Sequence, residues 1–286
     1  NFGILFIPEG KYRISKTIYI PAAIRLIGYG KSRPEFILAQ NAPGFQKEVP
    51  GDKGKARYMF WFTGGLVEEG QEPRDANAGT FYSAMSNINL RIEDGNPHAV
   101  ALRTHYAQHC FVSHMAIYIG KGKAGIFDIG NEMENVAFYG GDYGIYTTKS
   151  SPGWPVMLVD AYFEGQRKAA LRCQESGLAM VNLQVKNVPT VFDIDSNYCD
   201  KLFLENSYLE NVSGPAIVIT NENNSNNQIT FRNVYCKHVP TLARYTRSNT
   251  YTQVQHQIYH IKAYDHGLQM DSLSAQPEYA TSVDVE

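Results

Sequence analysis

The chain of 286 residues is 43% hydrophobic and only 19% charged, and 26 Lys+Arg against 28 Asp+Glu leave a net charge of −2. That balance excludes the basic footprint of a nucleic-acid binder and a polybasic membrane surface, and no run reaches the roughly 18 apolar residues of a spanning helix. Nineteen Tyr and 14 Phe exclude a disordered chain, while the scattered Cys110, Cys173, Cys199 and Cys236 exclude a zinc ribbon or dense disulfide scaffold and read as buried thiols.

The chain opens on a strand-like segment, FGILFIPEGKYRI, and further residues are expected upstream of Asn1. Residues 40–83 are rich in Gly, Pro and charge around one aromatic strand, Tyr58 to Phe62, and read as a long loop insertion. From residue 86, Asn-rich, β-branched segments recur: SNINLRI, SHMAIYI, ENVAFYG, LVDAYFEG, MVNLQVKN, LFLENSYLEN and ITFRNVYCKH. Aligning Leu90, Ile117, Phe138, Tyr162, Gln184, Tyr208 and Val234 gives gaps of 27, 21, 24, 22, 24 and 26, a repeat of about 24 residues. A second series falls between them: AVALRTH, AGIFDIG, YGIYTTK, AALRCQE, PTVFDID and PAIVITN. After residue 245 the rhythm decays, and residues 245–286 read as a last coil or two followed by a poorly ordered tail.

Two interleaved strand series on one period, with almost no helical periodicity, predict an all-β solenoid: a parallel β-helix of nine to eleven coils in one domain spanning 1–286. Like positions then stack about 4.8 Å apart. Ile126, Ile145, Leu171, Val191 and Ile217 are candidates for an inward ladder, and Asn and Gly at the corners tolerate left-handed conformations. A propeller or sandwich would show regular hairpin turns, and Asp94-Gly95 does not join alternating strands on a regular spacing.

Pro8-Glu9-Gly10-Lys11-Tyr12-Arg13-Ile14-Ser15 and Leu26-Ile27-Gly28-Tyr29-Gly30 resemble the opening coils of the pectate-lyase-like superfamily of right-handed β-helices. More narrowly they are similar to the branch related to glycoside hydrolase families 28 and 55. The resemblance implies a right-handed coil, an N-terminal capping helix before the first strand, and a carbohydrate substrate. It does not carry catalytic residues across. The N-T-D, D-D, G-H and R-I-K signatures of family 28 are missing, as is the R-x-P-x-x-R of calcium-dependent pectate lyases.

Candidate residues therefore come from the repeat itself. Loops after the second strand series place His105 and His109, Glu132 and Glu134, the turn around Trp154, then Glu175 and Asp195 along one edge. A Trp on a Pro-flanked turn beside carboxylates suits a sugar cleft. After the first series, Gly140, Glu164, Lys186 and Glu210 align, with Asp142 and Gln166 two residues on. Glu164 is the expected acid and Glu132 the next, with Asp142 or Asp128 as partner; the alternative for Glu164, Lys186 and Glu210 is an exposed charge ladder. Arg103 and Arg172 share an outward column with Phe127 and Tyr146, either to bind sugar or to stack on the rings. His105 and His109 have metal-ligand spacing only on a helix, so no metal and no cofactor are expected.

The leading reading is a glycoside hydrolase acting on a polysaccharide or oligosaccharide through carboxylate acid/base chemistry. The alternatives are a polysaccharide lyase working by β-elimination and a non-catalytic glycan-binding or structural β-helix. No nucleic-acid or membrane partner is expected; a homo-oligomer and a secreted or periplasmic location are.

Overall fold

The computed structural model describes residues 2–48, 57–148 and 156–286. Strand after strand pairs in parallel with the one a coil later, in two sheets that run the length of the molecule. The turns number about nine, at about 25 residues each, and every strand of at least three residues belongs to this scheme up to Tyr245. Parallel neighbours joined by such crossovers wind right-handedly. The architecture is the expected right-handed parallel β-helix.

The long sheet bends once within each coil, and the sequence shows why. Asn87, His114, Asn135, Asp160, Asn182, Asn206 and Asn233 fall in one column and all have φ between 50° and 58°. Asn, Asp and His tolerate that left-handed geometry better than other side-chain residues. Their amides also bond up the column, Asn182 Nδ2 to Asp160 Oδ1 at 2.5 Å and Asn233 Nδ2 to Asn206 Oδ1 at 2.6 Å. One left-handed residue per coil thus turns the strand, and two of these side chains tie neighbouring coils together.

Inside, like residues stack. On the second sheet Leu102, Ile126, Ile145, Leu171, Phe192, Ile217 and Ala243 pair successively, all fully buried. Phe192 holds the place expected of Val191, which is itself buried next to it. On the long sheet the inward ladder runs Leu90, Ile117, Phe138, Phe163, Val185, Leu209 and Cys236. The expected alignment through Tyr162, Gln184 and Tyr208 is one residue out, and Val234 is two out. A one-residue slip exchanges faces, so Tyr162 and Tyr208 stand outside.

After Tyr245 the winding stops. Asn249, at φ 53°, lies in a turn that sends Thr250–Gln253 back antiparallel to Thr241–Tyr245. Ile258–Gln269 then pairs antiparallel with Gln228–Lys237, and Glu278–Val285 pairs antiparallel with Ile258–Gln269. Where further coils and a loose tail were expected, three strands paired antiparallel follow the last coil. Tyr264 and Tyr259 fix Ile258–Gln269, their hydroxyls bonding Tyr245 (2.9 Å) and the Val239 carbonyl (2.7 Å).

Candidate functional site

The outward column of the second sheet runs Tyr19, Trp61, Arg103, Phe127, Tyr146, Arg172 and Asp193, one residue per coil. It forms the floor of a face that is far from bare. Tyr58, Val100, Ala124 and Phe127 are fully buried outside the solenoid, with Trp61, Tyr143 and Tyr146 packed on them. This second apolar cluster makes the face a site where polar groups are partly desolvated.

At its near end lies an ion-pair knot. Arg103, 1% exposed, binds Asp75 at two points, Nε to Oδ1 at 2.9 Å and Nη2 to Oδ2 at 2.7 Å, and donates Nη1 to the Tyr58 hydroxyl at 3.0 Å. Its guanidinium lies over the Phe127 ring at 5.0 Å and the Tyr58 ring at 5.3 Å. Trp61 Nε1 and His105 Nδ1 reach the same carboxylate at 2.8 and 3.2 Å. Burial pushes Asp75 up, but the bonds from His105, Arg103 and Trp61 and the Arg103 charge outweigh it and hold the carboxyl well below its usual range. Asp128 closes the knot. Its Oδ1 accepts Thr148 N and Oγ1, both at 2.7 Å, while Oδ2 lies 3.4 Å from Arg103 Nη2.

Further along, Arg172 sits 4.5 Å over the Tyr146 ring and its Nη2 is 2.5 Å from Asp195 Oδ1, with Gln174 Nε2 bonded to Oδ2. Asp193 pairs with Arg172 in register. Its carboxyl is raised, first by burial and then by Asp195, with Arg172 opposing. Burial and the Asp193 charge push the Tyr143 hydroxyl up to about 12. Two carboxyls two residues apart, one raised and one ion-paired, are an arrangement suited to acid/base work.

The expected site residues divide among three places. Arg103, His105, Asp128, Tyr146 and Arg172 share this face. Glu164 belongs to a different corner, in register with Lys186, Glu210 and Lys237. Lys237 and Lys186 pair with Glu210 at 2.8 and 3.5 Å, while Glu164 accepts the Tyr162 hydroxyl at 2.8 Å. Asp142 is held by Arg167 and Lys168 at 2.8 and 3.0 Å. Gln166, 2% exposed, donates to the carbonyls of Phe138, Gly140 and Glu164 and so pins that corner from within. Glu132 is exposed on the outside of the long sheet, between Phe111 and Met157. His109 is exposed and stacks on Tyr82 at 5.2 Å. Trp154 lies outside the described residues.

Sequence reasoning passed over Asp75 and Asp193. Asp75 lies in the irregular stretch, where no register assigns a face. Asp193 had a readable signal, since it directly follows Phe192 on the strand after Arg172. Among the described residues no group of three or more His, Cys, Asp or Glu could hold a metal ion.

ORF18 of Geobacillus virus E2 shares 10% identity at a TM-score of 0.35, over 98% of this chain and 68% of that one. Tailspike protein 3 of bacteriophage CBA120 shares 10% identity at a TM-score of 0.28, over 85% and 48%. No curated protein sequence matches significantly. The model of the family described as "Rhamnogalacturonase A/epimerase, pectate lyase-like" matches residues 1–193, and with two thirds of its length so matched the chain belongs to that family.

Proposed function

We propose that the protein is a glycoside hydrolase that cleaves a polysaccharide on the outer face of the second sheet. Asp193 is the general acid and Asp195 its carboxylate partner. The observation that carries this reading is the pair itself: a half-buried carboxyl raised by its surroundings, beside an ion-paired one. A raised acid still holds its proton when the leaving oxygen needs it. Asp195, oriented by Arg172 and Gln174, is the group left to activate water or attack the anomeric carbon. Tyr146 and Arg172 beside the pair supply an aromatic edge and a cation for sugar hydroxyls or a carboxylate. The family's name, which sets a rhamnogalacturonase beside an epimerase under a pectate lyase-like heading, supports a polysaccharide as the substrate class.

The test is D193N assayed on rhamnogalacturonan and pectate for released reducing ends. Loss of roughly a hundredfold or more of the activity supports the assignment, in line with the usual contribution of a positioned acid. Full activity in D193N rules Asp193 out. Ultraviolet absorbance from an unsaturated product would show elimination, and glycan binding without any cleavage would show a binding module.

A further inference from the structure

We propose that the outer face of the long sheet around Val181 is a dimer interface, on which a second copy of the chain packs with its solenoid axis reversed. This face belongs to a different sheet from the Asp193–Asp195 pair, so the dimer is independent of the reaction assigned above.

The outward positions there break with their surroundings. Met157, Val159, Ala179, Val181 and Phe203 stand side by side on three successive coils. Met157 is 50% and Phe203 38% exposed, and the other three are half-buried. Past the bend, the same coils carry Glu164, Lys186 and Glu210. Parallel sheets are ordinarily covered where their faces are apolar, and a contiguous apolar patch rimmed by polar groups marks an interaction surface. The rim is polarised. Glu132 and Glu134, both exposed, lie one coil before Met157 and Val159. Lys201, also exposed, and Arg232 lie at the opposite end.

The pattern is self-complementary. Two copies bring the same face together when a two-fold axis lies in the plane between them. An axis along Leu178–Val181 keeps each column opposite itself and reverses the order of the coils. Ala179 and Val181 then meet their own copies, and Met157 meets the partner's Phe203. The small Ala179 side chain lets the sheets close to about 10 Å. One coil further out, Glu134 meets the partner's Arg232, and Glu132 falls beside the partner's Thr230, within reach of the partner's Lys201. Arg232 already holds Asp265 at 2.9 Å, yet its side chain is 39% exposed. Val159 falls opposite the partner's Glu205 at the edge of the face, next to the bend. The other in-plane axis, along the solenoid, would set Glu132 against the partner's Glu134, and like charges directly opposite are unfavourable. The matched face spans the four coil intervals from Glu132 to Thr230, about 19 Å. That is the small end of specific interfaces, so the dimer is weak and concentration-dependent, not obligate.

Sedimentation equilibrium of the intact chain, from low micromolar to hundreds of micromolar, tests the interface. The wild type should show a monomer–dimer equilibrium. V181D sets two carboxylates against each other on the axis and should be monomeric throughout. E132K and K201E, at exposed positions, should each weaken association about tenfold, and the double variant E132K/K201E should restore it. Circular dichroism checks that each variant is folded, and the charge variants decide on their own should V181D not fold. A wild type that stays monomeric at every concentration overturns the dimer. Association unchanged in V181D, E132K and K201E overturns this face, and single losses that the double variant does not recover overturn the reversed arrangement.

Discussion

Arg103 and Asp75 are joined at two points across 28 residues, a guanidinium almost wholly out of water clamped to a carboxylate from the irregular stretch after the second coil. Removing one partner of such a pair strands the other charge, which costs about 3–5 kcal/mol. D75A should therefore lower the free energy of unfolding in urea by about that amount, and the double variant D75L/R103M should recover much of it. The pH dependence has a definite sign. A carboxyl lowered by folding stabilises above its unfolded value, and the effect fades as pH falls through about 4 and below. The wild type should lose stability across that acid range more steeply than D75N. Equal slopes would show that the ion pair contributes nothing net.

Gly125 and Gly144 test the packing inside. A Cβ added at Gly125 would lie 2.6 Å from Phe138 Cδ1, and one at Gly144 would lie 2.5 Å from Phe163 Cδ1. The two phenyl rings stack at 4.8 Å with an interplanar angle of 9°, and the glycines leave room for their edges. G125A and G144A should each cost about 1–3 kcal/mol by overpacking, whereas F163A should cost about 3–5 kcal/mol by leaving a cavity. Thermal unfolding of the three variants checks the order. If G144A were as stable as wild type, the tight stack would be wrong.

These rings also mark how far the fold was legible. The period could be read because inward positions repeat as aliphatic or aromatic residues, and Leu90, Ile117 and Phe138 do pair as aligned. At Tyr162-Phe163 two aromatic residues stand side by side, and hydrophobicity alone does not say which faces in. The slip began there. Outward pairing was readable where charges alternate, as in Glu164, Lys186 and Glu210, and where Arg103, Phe127, Tyr146 and Arg172 share a column. Asp75 was not readable, because a residue outside the repeat has no register, and its bonds to Trp61, Arg103 and His105 exist only once the stretch closes over the sheet.

His266 offers a test of the cap at the C-terminal end. The ring is 8% exposed, with Nε2 on the Glu222 carbonyl at 3.0 Å and Nδ1 on the Thr281 hydroxyl at 2.9 Å. Burial lowers its pKa, against the opposing pull of Glu222. The unfolded chain then binds a proton more readily than the folded one below about pH 6.5, so stability should rise with pH through that range. In H266Q this rise should flatten. Hydrogen exchange of Glu278–Val285 is the sharper readout, and protection there that is independent of pH would remove His266 from the cap.

Arg172 gives the most direct test of the acid assignment. Its positive charge opposes the burial and the Asp195 charge that raise Asp193. In a hydrolase whose acid must be protonated, the alkaline limb of kcat/KM follows that acid's pKa in the free enzyme. In R172A the opposing charge is gone, so Asp193 should hold its proton to higher pH and the alkaline limb should move up. The same change releases Asp195 from its 2.5 Å ion pair, so the plateau rate should fall while the profile shifts. R172K, which keeps the charge without the two-pronged geometry of a guanidinium, should leave the limb nearer its original place while still lowering the rate. A limb that stays fixed in R172A would mean that the titrating acid is not Asp193, however much activity the variant loses.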